Sequence, residues 1–135
     1  MVDPALLASI RRALSGRVGL RLAVLFGSQA RGDSRADSDV DLGVLGDRID
    51  TLRLAAELSK ELDRDVDVVD LEEPSIALLR AVLRDGIAVH EAPPGAWGSF
   101  IARSLCDLET DLPAIRRMQD AFIRRVAARG LLDGR

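Results

Sequence analysis

Asp39 and Asp41 are the two residues whose type and spacing most directly suggest chemistry. They open an apolar run that is typical of a strand, and because side chains alternate faces along a strand, both carboxylates point the same way, about 6.5 Å apart along the backbone. Carboxylates held this close repel each other and usually share a cation. All-oxygen ligation suits Mg²⁺, which commonly takes one or two carboxylates plus substrate phosphates. The spacing therefore predicts a magnesium site.

Gly27 and Ser28 form the second part of the pattern, and ten residues separate Ser28 from Asp39. They follow the apolar run 20–26 and precede a short predicted helix, so they place backbone N–H groups and a hydroxyl where a phosphate can bind. The alternatives are an ordinary turn at Gly27 and Ser28, and two aspartates on the solvated face of an edge strand. The ordered combination of both features favours a metal-and-phosphate site.

A third acid is expected in the predicted strand 65–71, which contains Asp65, Asp67 and Asp70. By alternation Asp67 shares a face with Val69, and burying an unpaired charge beside an aliphatic side chain is costly. A bound metal would explain this placement, so Asp67 is the predicted third ligand. Asp65 and Asp70 lie at the strand ends, where exposure to solvent or capping explains them more simply. The open alternative is that all three acids are exposed residues on an edge strand.

The motif FGSQARG at residues 26–32, followed by DSDVDLGVL at residues 37–45, resembles the DNA polymerase β-type nucleotidyltransferases. More narrowly, it resembles the minimal nucleotidyltransferase (MNT) proteins, which often serve as antitoxins paired with HEPN-domain ribonuclease toxins. The resemblance covers roughly residues 20–91. It implies an α/β (α+β) nucleotidyltransferase fold, with a small mixed β-sheet flanked by helices and a C-terminal helical tail.

The resemblance also implies roles for individual residues. Gly27, Ser28 and Arg31 would bind the nucleotide, with the first two at the β- and γ-phosphates of ATP. Two Mg²⁺ ions would be held by three acids that also carry the catalysis: Asp39, Asp41 and Asp67. Among these, Asp67 is the predicted helper in deprotonating the acceptor hydroxyl.

Arg31 has two interpretations from the sequence. Its place in the motif implies a cation for phosphate close to Ser28. A surface arginine that pairs with Asp33 or Asp37 explains the residue equally well.

The acceptor is also implied by resemblance. Similar minimal enzymes transfer AMP from ATP to a tyrosine of their HEPN toxin, which implies a protein adenylyltransferase that acts as an antitoxin in a hetero-oligomer with that toxin. Two alternatives stay open: a small-molecule nucleotidyltransferase of the aminoglycoside-modifying type, and an antitoxin that acts by occlusion alone. Three converging carboxylates argue against the last of these.

Composition limits the classes of function. The 135 residues, 47% of them hydrophobic, predict one domain with a real core. With 19 basic and 22 acidic residues and a net charge of −3, sequence-independent binding to nucleic acid is not expected. The sequence lacks an apolar run long enough to span a bilayer and does not begin like a signal peptide, so we expect a cytoplasmic protein without membrane contact. The single cysteine, Cys106, lies in an apolar helical pattern and is predicted to be buried.

Local signals predict the elements around the motif. A helix begins at Asp3-Pro4 and ends at Gly16, and the apolar run 20–26 predicts a strand covered on both faces. A crossover helix begins at Asp50 or Thr51. Its predicted apolar stripe consists of Leu52, Ala55, Ala56, Leu58, Ser59 and Leu62. A helix opening at residues 73–75 stops at Gly86, and a short strand follows.

The sequence APPG at residues 92–95 is the clearest linker signal. It divides a predicted nucleotidyltransferase core, 1–91, from a C-terminal helical extension, 96–135, which packs on the core, on a partner, or on both. Pro113 is expected to start or kink a helix there. Met118 and Phe122, with neighbouring arginines, are either intramolecular core or a helix face for a partner protein.

Overall fold

A computed structural model describes residues 2–32, 39–108 and 120–125. Four strands form one sheet, and helices cover both of its faces. The elements are α1 (Pro4–Leu14), β1 (Leu20–Phe26), α2 (Gly27–Arg31), β2 (Val40–Gly46), α3 (Thr51–Leu62), β3 (Val66–Asp70), α4 (Ile76–Asp85), β4 (Ile87–Glu91) and α5 (Ala96–Asp107). Residues 120–125 are helical as well.

The sheet has the order β3-β2-β1-β4 and is mixed. β1 runs antiparallel to both β2 and β4, whereas β2 and β3 are parallel and are joined by α3. Parallel neighbours need a crossover connection, which is the role predicted for this helix. The predicted α+β fold with a small mixed sheet is confirmed.

Side chains cap the N-termini of three helices at positions that the sequence indicated. Asp3 accepts a hydrogen bond from the Ala5 N–H at 2.9 Å, and Asp50 accepts one from the Arg53 N–H at 3.1 Å. Ser75 does the same for Leu78 at the start of α4. Each cap satisfies a backbone donor that has no partner within the helix. Asp50 is therefore the cap of α3, and Thr51 is its first residue.

The core lies on both faces of β1 and β2. One cluster joins the sheet to α1 and α3 and includes Ile10 and Leu58, both fully buried. The other joins it to α4 and α5 and includes Val82 and Phe100. β1 contributes to both clusters, so the prediction of a strand covered on both faces is confirmed.

Two predictions about burial were wrong. Leu52 is 84% exposed, and Leu54 occupies the stripe together with Leu58 and Leu62. Leu52 precedes Leu54 by two residues, which corresponds to about 200° around a helix, so the two side chains cannot face the same sheet. Cys106 is exposed rather than buried.

The extension contributes to the second core cluster. Phe100, Ile101 and Leu108 are buried, and Phe122 packs against the same cluster while partly exposed. Trp97 stacks on Phe100 with ring centroids 5.8 Å apart. The division into 1–91 and 96–135 stays a prediction. The predictions for Pro113 and Met118 lie outside the described residues, as do those for Asp33 and Asp37.

Helix length and hydropathy were also compared with what a bilayer demands. Within 2–32, 39–108 and 120–125, every helix is too short or too polar to cross a membrane.

We expect Leu58→Ala to lower the free energy of unfolding by about 2–5 kcal/mol, because it leaves a cavity at a fully buried position beneath α3. Leu52→Ala, on the same helix but exposed, should change it by no more than about 0.5 kcal/mol. Urea denaturation of both variants measures the difference. Equal losses would contradict the orientation of α3.

Candidate functional site

Gly27 brings the end of β1 directly against Asp41. Phe26, the last residue of β1, is the register partner of Asp41 in β2. Gly27 has a φ of +77°, and a Cβ added to it would lie 2.5 Å from Oδ2 of Asp41. Only glycine adopts this backbone readily and leaves room for the carboxylate. Gly27, a predicted phosphate-binding residue, therefore lies directly against the predicted metal-binding acid Asp41.

Asp41 and Asp67 lie side by side on neighbouring strands. They are register partners in the parallel pair β2 and β3, and residues in register project to the same face of a sheet. Asp41 is half-buried and Asp67 is exposed. Asp39 is exposed and lies just before β2, two residues from Asp41. The structure thus places Asp41 and Asp67 side by side and leaves Asp39 near enough for its charge to act on Asp41.

The electrostatics of Asp41 reflect this crowding. Burial raises the pKa of the Asp41 carboxyl above its ordinary value of 3.8, and the negative charges of Asp67 and Asp39 raise it further. The positive charge of Arg31 opposes these effects and lowers it. The net upward shift means that the ionised form of Asp41 is under-compensated by its surroundings.

Two sequence arguments favoured Asp67, its place in the family resemblance and its expected burial, and the premise of burial was wrong. β3 is an edge strand, and Asp67 is exposed rather than enclosed beside Val69. What singles out Asp67 is its register with Asp41. Asp70 is also exposed and accepts a hydrogen bond from the Glu72 N–H at 2.9 Å, which matches the capping explanation for it. Asp65 is exposed at the entry to the strand.

Arg31 contacts an acid that the sequence did not single out. Its Nη1 donates to Oδ2 of Asp85 at 3.1 Å, across 54 positions of the chain. The Asp85 side chain is only 8% exposed and lies at the last position of α4. An acid at a helix C-terminus opposes the helix dipole, and this was the available signal for Asp85.

Asp39, Asp41 and Asp67 form an acidic cluster whose ligand atoms suit Mg²⁺. Its donors are carboxylate oxygens, and a cation would relieve the charge crowding that raises the pKa of Asp41. Within the described part of the chain, no three acidic, histidine or cysteine side chains enclose a metal by themselves. Mg²⁺ usually takes only one or two carboxylates and completes its shell with water and phosphate oxygens. The arrangement is therefore an open ion site that a nucleotide would complete.

The sequence was compared with known families and proteins. The family model described as "Polymerase beta, Nucleotidyltransferase" matches residues 8–94. A protein adenylyltransferase MntA from Shewanella oneidensis is 41% identical over 71 residues, which cover 50% of this chain and 51% of that protein. One from Aphanizomenon flos-aquae is 34% identical over 100 residues, covering 64% and 67%. The chain thus matches about half the length of the first relative.

Solved structures show the same architecture over more of the chain. A toxin–antitoxin structure with AMP-PNP has a TM-score of 0.65 and 28% identity, covering 90% of this chain and 98% of that one. A structure of a tri-AMPylated Shewanella oneidensis HEPN toxin in complex with an MNT antitoxin has a TM-score of 0.57 and 25% identity, covering 91% of this chain and 93% of that one.

The family model covers more than half of the 135 residues and includes every predicted site residue. The fold of the solved antitoxins extends beyond it into the C-terminal part of the chain. This chain therefore belongs to the polymerase β nucleotidyltransferase family.

Proposed function

We propose that this protein is a Mg²⁺-dependent adenylyltransferase that transfers AMP from ATP to a tyrosine of a cognate HEPN toxin, and that it acts as the antitoxin of that pair in the cytoplasm. The observation that carries the proposal is the register of Asp41 with Asp67 beside Gly27. Support for the nucleotide and the acceptor comes from the relatives, which are named adenylyltransferases and include structures with AMP-PNP and with an AMPylated toxin.

The roles of the residues follow from their positions. Asp39, Asp41 and Asp67 would hold two Mg²⁺ ions, and Gly27 and Ser28 would bind the β- and γ-phosphates. When bound, Mg²⁺ stabilises charge on the entering and leaving oxygens of an in-line displacement. The acceptor oxygen forms a bond to the α-phosphorus, the bond from that phosphorus to the bridging oxygen breaks, and diphosphate leaves.

Asp67 is suited to meet the acceptor. It lies on an edge strand and is exposed, so a hydroxyl from another molecule can reach it. Its carboxylate would take the proton of that hydroxyl as the new bond forms. Asp41, half-buried against Gly27, would instead face the nucleotide.

The sequence contains no tyrosine. If the acceptor is a tyrosine, it lies outside these 135 residues, in agreement with an acceptor supplied by a toxin. A phosphotyrosyl linkage found after the reaction is then assignable to the partner protein alone.

We expect Asp39→Asn and Asp41→Asn each to reduce AMP transfer by more than the roughly 10–100-fold typical of losing a group that only supports a metal ligand. Labelled ATP, Mg²⁺ and a cognate HEPN protein provide the assay. Asp70→Asn is the matched control, since it lies on β3 and its amide oxygen can still accept from Glu72.

Retained transfer in the Asp41 variant would contradict the metal assignment. Loss of transfer together with retained protection from the toxin would support occlusion instead. Labelling of an aminoglycoside in preference to the HEPN protein would support the small-molecule alternative.

We expect Asp41→Asn to stabilise the protein at neutral pH in the presence of a chelator. Because folding raises the pKa of Asp41, its contribution to stability is largest below its ordinary value of 3.8 and is lost as the pH rises through the raised folded-state pKa. The neutral amide of asparagine at position 41 does not ionise, so the variant does not lose this stability as the pH rises. Thermal melting between pH 4 and 8 measures it, with Asp70→Asn as the control.

Added Mg²⁺ and AMP-PNP should reverse the order of stability. The ligands stabilise the wild-type protein by binding its folded state, and they should have little effect on Asp41→Asn. A variant that is less stable than the wild type in chelator would contradict the crowding of negative charge at Asp41.

Gly27→Ala should destabilise the protein by about 1–3 kcal/mol, because the new Cβ meets the Asp41 carboxylate and the backbone stays at a φ of +77°. Transfer activity should fall with it. Gly98→Ala is the control, because a Cβ there meets no atom within 4 Å, and alanine favours the interior of α5 by about 0.5–1 kcal/mol. Equal stability of the two variants would contradict the close approach at Gly27.

A further inference from the structure

Asp85 lies where a negatively charged carboxylate is energetically unfavourable. Its side chain is 8% exposed, and it occupies the last position of α4, where the helix dipole disfavours negative charge. A buried carboxylate needs compensating partners, and two arginines provide them. Arg31 reaches it from α2 at 3.1 Å, and Arg84 reaches it from the preceding position at 3.1 Å.

The two arginines belong to different parts of the structure. Arg84 is 61% exposed and lies on α4 itself, next to Asp85. Arg31 belongs to α2, the short helix whose first residue, Gly27, lies directly against the Asp41 carboxylate. Of these two contacts, only the one with Arg31 connects the buried carboxylate to the acidic cluster.

The end of α4 is itself held in place by the C-terminal extension. Arg125 donates from Nη1 to the Gly86 carbonyl at 2.9 Å and from Nη2 to the Leu83 carbonyl. These carbonyls flank Asp85, and a cation at a helix C-terminus is favourable. Asp85 is therefore presented to Arg31 from a firmly anchored helix end.

We propose that Asp85 is a positioning residue, which holds the Arg31 guanidinium near Gly27 and Asp41 so that it can bind the triphosphate of the nucleotide. This inference rests on the proposed function, since it assigns Arg31 to the same nucleotide site. A long arginine side chain loses conformational entropy when it binds a phosphate, and a buried acceptor that restricts it in advance reduces that loss.

Calorimetry of AMP-PNP binding in the presence of Mg²⁺ tests the proposal without any acceptor. We expect Asp85→Ala to raise the Kd by about tenfold, the lower end of what loss of a supporting partner costs at ligand sites. Asp85→Asn keeps an oxygen that can accept from Arg31 and should lie between the alanine variant and the wild type. Arg84→Ala is the matched control and should change the Kd less than about twofold.

A double-mutant cycle separates positioning from general damage to the fold. If Asp85 acts through Arg31, the variant Arg31→Ala with Asp85→Ala should bind AMP-PNP no more weakly than Arg31→Ala alone. Additive losses would overturn the proposal. Tighter binding by Asp85→Ala would also overturn it, because Asp85 would then restrain Arg31 from the nucleotide.

The failure of this inference differs from failure of the proposed function. A wild-type protein that does not bind AMP-PNP with Mg²⁺ would contradict both. A wild-type protein that binds it, with an unchanged Kd in a folded Asp85→Asn and Asp85→Ala, would contradict the role of Asp85 alone. Thermal melting establishes that each variant is folded.

Discussion

Repulsion between carboxylates is the constraint around which this structure is arranged. Half-burial makes the negative charge of Asp41 unfavourable, and its two acidic neighbours make it less favourable still. Such an arrangement persists only if the surrounding structure holds it. Val40 and Leu42, on either side of Asp41, are fully buried and fix β2 between β1 and β3. The hydrophobic core thus holds the unfavourable charges close together, and binding a cation would recover that free energy.

The position of Asp41 also explains the turn that follows β1. Phe26 pairs with Asp41, so the chain leaving β1 must turn beside the carboxylate. Glycine is the residue that fits there, since any Cβ would meet the oxygen. The turn, the acid and the phosphate-binding role proposed for Ser28 are consequently parts of one local geometry, in which the backbone at Gly27 is shaped by the position of Asp41.

Sequence predicted those features that depend on local pattern. The helix caps at Asp3 and Asp50 and the fully covered strand β1 follow from residue type and spacing over a few positions. The motif spacing placed Asp39 and Asp41 for the same reason. Asp67, chosen from the family resemblance and from an expected burial, is the register partner of Asp41, but the expected burial was wrong because the sequence does not reveal that β3 is an edge strand.

Features that depend on tertiary contacts could not be predicted in this way. The ion pair between Arg31 and Asp85 spans 54 positions, and each residue has plausible local partners in the sequence. Cys106 sits in an apolar helical pattern, yet its exposure depends on which side of α5 meets the sheet. Helical periodicity limits the choice of buried side, but packing against another element decides it.

The positions of Asp41 and Asp67 in the sheet separate two requirements of the proposed reaction. A nucleotide needs a rigid, partly desolvated site, and the pair of central strands β1 and β2 provides Gly27 and Asp41 for it. A protein acceptor is bulky and needs open access, which the edge strand offers at Asp67. An edge strand with exposed acids is also protected from pairing with other strands by its charges. The acidic residues of β3 can therefore protect the sheet edge and form the acceptor side of the site, because both roles require exposed negative charge at the same edge.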